Sequence, residues 1–111
     1  MLGMFDMMGS YDARKVDRYE SEDGNIIIDT CEVTDTLQPY ETAIMHPEYK
    51  GGDWMVVEHY DTKENAQAGH NRWVEKMTAK SPPKSITEDV QDEWNSMWGN
   101  KGTWERTPVE E

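Results

Sequence analysis

The sequence predicts a single small α+β domain: an antiparallel sheet of about three short strands packed by one amphipathic helix, with a second C-terminal helix and an N-terminal arm. Three observations carry this. Residues 25–34, 40–46 and 54–60 are rich in β-branched and aromatic residues, short enough to be strands, and separated by turn-forming residues. Residues 61–79 join a helix-starting signal to an apolar stripe of helical period. At 111 residues the chain fits one domain. Within it, 1–24 read as arm and lead-in, 25–83 as sheet and helix, and 84–111 as helix and tail.

Taken in order, residues 1–10 mix Leu2, Met4, Phe5, Met7 and Met8 with Gly3 and Gly9 and show neither helical nor strand period. An apolar arm left in water is a liability. It therefore either folds back over the core or docks on a partner or a sister subunit, with Met4, Phe5, Met7 and Met8 as anchors. Residues 11–25 are polar and end in the turn Glu22-Asp23-Gly24-Asn25. In the first strand Ile26, Ile28 and Thr30 share one side, and Ile27, Asp29, Cys31 and Val33 the other. The turn-rich stretch 46–53 joins the second and third strands as a hairpin. Strict alternation places Trp54, Val56, Glu58 and Tyr60 on one face of the third.

Asp61, followed three positions later by Glu64, starts a helix that runs to about residue 79. Ala66, His70, Trp73, Val74 and Met77 form its apolar stripe and are the expected structural core. Gly69 lies beside that stripe, where a missing side chain lets the helix come close to the sheet. Pro82-Pro83 ends the segment. Ser85 with Glu88 repeats the capping pattern, and Ile86, Val90, Trp94, Met97 and Trp98 repeat at helical spacing, which predicts the second helix over 86–98. Trp98 and Trp104, near the C-terminal end, are candidate interface anchors, since Trp is enriched at binding hot spots.

Only 35% of residues are apolar, yet five Trp, five Tyr and eight Met supply enough bulk for one core. Eleven basic against 23 acidic residues give a net charge of -12. A field of this sign repels phosphate backbones and anionic membranes, and no basic patch relieves it. Direct nucleic-acid and membrane binding are therefore not expected. Cys31 is alone, so no intrachain disulfide is expected. The first ten residues lack the basic flank and long apolar run of a signal peptide, which points to a protein made in the cytoplasm.

The candidates for chemistry are few. His46, His59, His70 and Cys31 lack the close pairing of zinc ligands, so no metal is expected. His70 reads as a histidine on the apolar stripe whose ring nitrogen bonds a backbone carbonyl or a strand side chain. Asp29, Glu32, Glu41 and Glu58 lie on strands where two carboxylates could approach for acid–base work, but the simpler reading is the wet face of an antiparallel sheet. Serine nucleophile elbows, phosphate-cradling glycine loops and calcium loops are absent. The sequence thus points to no catalytic residue, no cofactor and a non-enzymatic role.

The run Pro39-Tyr40-Glu41-Thr42, followed by Val57 to Ala66 (VEHYDTKENA) and then Gly69-His70, resembles a family of small proteins of tailed bacteriophages. Their pattern is a Glu-Thr strand, a strand ending in Tyr, and a helix opening Thr-x-Glu-x-Ala-x-x-Gly-His. The likeness covers residues 26–78, with a longer hairpin loop here, and leaves out the arm and the second helix. It carries no chemistry to transfer. It implies a phage or prophage origin, which narrows function to virion parts, assembly helpers and proteins aimed at the host. Among these, the apolar arm, small core and candidate exposed Trp favour a structural or virion-associated protein that acts through contacts with other protein subunits, with a homo-oligomer among the options. The alternative is an acidic inhibitor that imitates nucleic acid and occupies a host defence or nucleic-acid-processing protein, motivated by the charge.

Overall fold

A computed structural model of the chain describes residues 14–33, 38–89 and 102–108. The fold is α+β. Strands β1 (Lys15–Glu20), β2 (Ile27–Glu32), β3 (Tyr40–Met45) and β4 (Trp54–Tyr60) form a four-stranded antiparallel meander in sequence order. Helix α1 (Lys63–Met77) follows β4 and packs across one face of that sheet. Strands β5 (Ser85–Thr87) and β6 (Thr103–Glu105) pair as a second, two-stranded sheet.

Two of these elements correct the expectation from sequence. The polar lead-in contains β1, so the main sheet has four strands rather than about three. The second helix does not begin at residue 86: Ser85–Thr87 is a strand with Ile86 opposite Trp104, and residues 90–101 lie outside the described residues. The local reason is competition for one side chain. Glu88, which would have capped a helix, instead accepts from Lys50 Nζ (2.8 Å) and Trp104 Nε1 (2.7 Å), while its backbone N–H donates to the Gly102 carbonyl. Ile86 is buried at the end of the core, where strand alternation leaves its two neighbours exposed.

Short-range chemistry sets the connections. Between β1 and β2, Asp23 accepts from the Ser21 hydroxyl (2.6 Å) and the Asn25 N–H (3.0 Å), and Gly24 takes a positive φ of 77°. Between β3 and β4 the chain passes through three consecutive left-handed residues, Lys50, Gly51 and Gly52, two of them glycines for which that region carries no side-chain penalty. Thr62 caps α1 by accepting from the Asn65 N–H at 3.1 Å, one residue later than the expected cap at Asp61, which binds the Asn65 side chain instead. The helix ends at Met77, with the Thr78 hydroxyl donating back to the Val74 carbonyl.

The core joins Ile28, Ile44, Tyr49, Met55, Val57, Met77 and Ile86, with Tyr19, Trp73, Val74 and Trp104 packed against it. Each aliphatic side chain buried here contributes roughly 1.5–3 kcal/mol relative to exposure. A β-bulge in β4 decides which residues reach it. Thr42 pairs with Glu58 but Ala43 pairs with Val56, so Val57 is an extra residue. The bulge shifts the phase of β4: Met55 and Val57 are buried, Trp54 is 40% exposed, and Tyr60 is buried. The single face expected for Trp54, Val56, Glu58 and Tyr60 is therefore split, with Glu58 and Tyr60 turned towards α1.

Candidate functional site: two histidine-centred networks

The bulge puts Glu58 in register with Thr42, Thr42 is opposite Thr30, and Thr30 is opposite Asp17. Four polar residues thus form a row across all four strands on the face that α1 covers. Thr30 and Thr42 are fully buried there, so each needs a partner. His70 Nδ1 lies 2.7 Å from Thr30 Oγ1, Thr30 Oγ1 is 2.6 Å from Thr42 Oγ1, and Thr42 Oγ1 is 3.0 Å from the Tyr60 hydroxyl. Tyr60 in turn donates to Glu58 Oε1 at 2.9 Å. Trp73 Nε1 donates to the same oxygen at 3.0 Å, and the Arg72 guanidinium stands 3.7 Å away. At the other end His70 Nε2 faces Asp17 Oδ2 at 3.8 Å, and Gln67 donates to that oxygen at 2.8 Å. Among the described residues no buried side-chain N or O lacks a hydrogen bond.

His59 alternates to the opposite face of β4, where its ring lies between Glu41 (Nε2 to Oε2, 3.2 Å) and Asp89 (Nδ1 to Oδ2, 3.1 Å). Asp89 comes from the segment after β5 and also accepts from the His59 backbone N–H, while its own N–H donates to the Val56 carbonyl. The segment thereby satisfies backbone groups that the bulge turns out of the ladder at this edge. A third histidine, His46, is buried beside Tyr49, with ring centroids 5.0 Å apart in an edge-to-face arrangement, and accepts from the Glu48 N–H.

Burial is the main cause of the shifts in acidity. It pushes His70 and His46 below the ordinary histidine value, against the opposing pull of Asp17 and Asp29 on His70 and of Glu48 on His46. The Gln67 hydrogen bond lowers Asp17, and burial with the nearby Asp29 and Glu41 charges raises the Cys31 thiol to about 11. Two depressed histidines mean that the unfolded chain binds protons more readily than the folded one below their unfolded value of 6.5. Stability is then fully present above that value and falls as the pH drops through it, with Asp17 adding a further loss below 3.8. For Cys31 the sign reverses, and stability is lost as pH rises from 9.0 to about 11. Urea midpoints are expected to be highest between these windows and lower at about pH 5 than at about pH 7.5. Equal midpoints at those two values would contradict it.

Of the residues singled out from sequence, Ala66, His70 and Met77 are buried on the sheet-facing side of α1, and Trp73 and Val74 are partly buried against the core. Trp104 closes one end of that core, with Lys50 Nζ 5.2 Å from its ring centre. Met4, Phe5, Met7, Met8 and Trp98 lie outside the described residues. Of the acid–base candidates, Glu58 is bound from the α1 side, Glu41 lies beside His59, Asp29 stands 3.9 Å from Arg18, and Glu32 is opposite Tyr40 on β3. Among the described residues no three of His, Cys, Asp and Glu group as a metal site, and no helix is long and apolar enough to cross a membrane. Asp17, Thr30, Thr42 and Asp89 were not legible as site residues; the one available signal was Thr at an inward position of each of two adjacent strands. Comparison with protein-family models, with curated proteins and with solved structures finds no match to this chain.

Proposed function

We propose that this chain is a non-enzymatic phage structural or virion-associated protein that works through contacts with other protein subunits. The observation that carries the reading is Trp54. It is the large apolar side chain left exposed among the described residues, at the start of edge strand β4 and opposite Met45. An exposed Trp at a sheet edge suits a binding anchor. Glu58, Tyr60, Thr42, Thr30 and His70 hydrogen-bond along the row beneath α1, and Glu41 and Asp89 flank His59, which gives these side chains a structural part. The net charge of -12 makes a protein surface a better partner than nucleic acid or an anionic membrane. The arm residues Met4, Phe5, Met7 and Met8 belong to the same proposed interface.

The test is incorporation into particles, or pull-down of particle proteins, by the full chain, by Trp54→Ser and by a chain lacking residues 1–10, each at low and at physiological salt. Both variants are expected to remain folded and to lose association by tenfold or more, since removing a hot-spot side chain costs about 2 kcal/mol or more. Association that is indifferent to both changes but collapses with salt would overturn the proposal. Exposed charges are screened beyond about 8 Å at physiological ionic strength, so that outcome would favour the acidic inhibitor.

A further inference from the structure

The row beneath α1 has a direction. A tryptophan N–H and a guanidinium can only donate, and a carboxylate accepts. Glu58 Oε1, which faces Trp73 Nε1 and Arg72, is therefore the accepting end, and Tyr60 spends its proton on it. A hydroxyl has one proton to give. With that proton committed, the Tyr60 oxygen accepts from Thr42, Thr42 accepts from Thr30, and Thr30 accepts from His70 Nδ1. Burial raises the Tyr60 phenol well above its usual value, so it keeps the proton on which this order depends.

We propose that Glu58, Tyr60, Thr42, Thr30 and His70 form a one-way hydrogen-bond relay. It fixes His70 from the far side of the sheet as the Nδ1–H tautomer and leaves Nε2, beside Asp17, as the ring atom that takes up a proton. The relay starts on β4, crosses β3 and β2, and ends on α1 where β1 meets it. Its interior members Thr30, Thr42, Tyr60 and His70 are all at least nine-tenths buried, while the Asp17 and Glu58 side chains at the two edges are 44% and 38% exposed. Water therefore reaches the ends and not the middle. The charged groups bearing on His70 are Asp17 on β1 and Asp29 on β2; Gln67, one turn earlier on α1, is neutral and holds Asp17. A proton on Nε2 leaves the Nδ1–H bond to Thr30 in place and creates a charge pair across the β1–α1 seam. The device couples that seam to pH without disturbing the rest of the row.

Long-range nitrogen–proton NMR of the full chain labelled in histidine, at a pH where the ring is neutral, reads the tautomer directly, with His70→Gln assigning the signal. His70 is expected to carry its proton on Nδ1, the minor form of free histidine. A proton on Nε2 instead would overturn the proposal. Tyr60→Phe keeps the ring and removes the hydroxyl three hydrogen bonds away, so Thr42 and Thr30 can turn their protons towards Nδ1 and the Nε2–H form should appear. Thr42→Val should act in the same way, and Thr42→Ser should restore the Nδ1–H form. An unchanged tautomer in Tyr60→Phe would show that the ring is set locally, and the relay would be wrong.

Discussion

Tyr49→Ala is expected to destabilise the fold by roughly 3–5 kcal/mol, the cost of truncating a fully buried aromatic. Tyr49 has no exposed surface and sits in the core with Ile28, Ile44, Met55, Val57, Met77 and Ile86. Its ring packs edge-on to His46, and its hydroxyl donates to the Pro83 carbonyl. One side chain thus joins the β3–β4 connection to the strap that leads from α1 into β5. Tyr49→Phe separates the two contributions, since it keeps the ring and forfeits only the hydrogen bond, at about 1–3 kcal/mol when the carbonyl is left unpaired. Urea denaturation of both variants checks this, and an alanine variant that loses less than the phenylalanine one would place the ring outside the core.

Gly69→Ala is expected to lower stability by about 2 kcal/mol, although alanine is the better helix former by about 1 kcal/mol. A Cβ at position 69 would stand 2.2 Å from Tyr60 Cε1 and 2.4 Å from its Cζ and hydroxyl oxygen. Such an overlap is ordinarily relieved by sliding the neighbour away. Here the neighbour is a buried ring held by Thr42 and Glu58, so relief costs hydrogen bonds or lifts α1 from the sheet. Gly69 is not a tolerated weak point in the helix; it is the notch that seats Tyr60. Thermal or urea unfolding decides the sign, and a stabilised Gly69→Ala variant would mean that Tyr60 is free to move.

These two residues also show what could be read in advance. The notch was legible, because a glycine beside an apolar helical stripe implies close approach, although the residue it receives was not. Tyr49 was hidden, lying in the turn-rich stretch 46–53 where nothing local separates a buried aromatic from a solvated one. Trp73, the obvious core residue of the stripe, is only partly buried, with its N–H on Glu58 and Lys76 Nζ 4.7 Å from its ring centre. Three strands, the hairpin and α1 followed from period and turn chemistry. Strand β1 did not, because its inward positions are Asp17 and Tyr19 rather than aliphatics, with Asp17 opposite Thr30 and met there by Gln67 and His70. The bulge at Val57 was equally silent, since strict alternation continues through it on paper. Ser85 and Glu88 spell a helix cap and a strand edge equally well, and the choice lay with Lys50 and Trp104, distant in sequence.

The proposed assembly role, which rests on the proposed phage origin, is tested most directly by quantitative mass spectrometry, with cross-linking, on purified particles from cells that express the chain during phage growth. The expected result is the chain present at a fixed ratio to the structural proteins, with cross-links from Lys50, whose Nζ lies 3.1 Å from the Trp54 carbonyl, to a particle subunit. Particles free of the chain, with the protein recovered instead on a host nucleic-acid-processing enzyme, would contradict it.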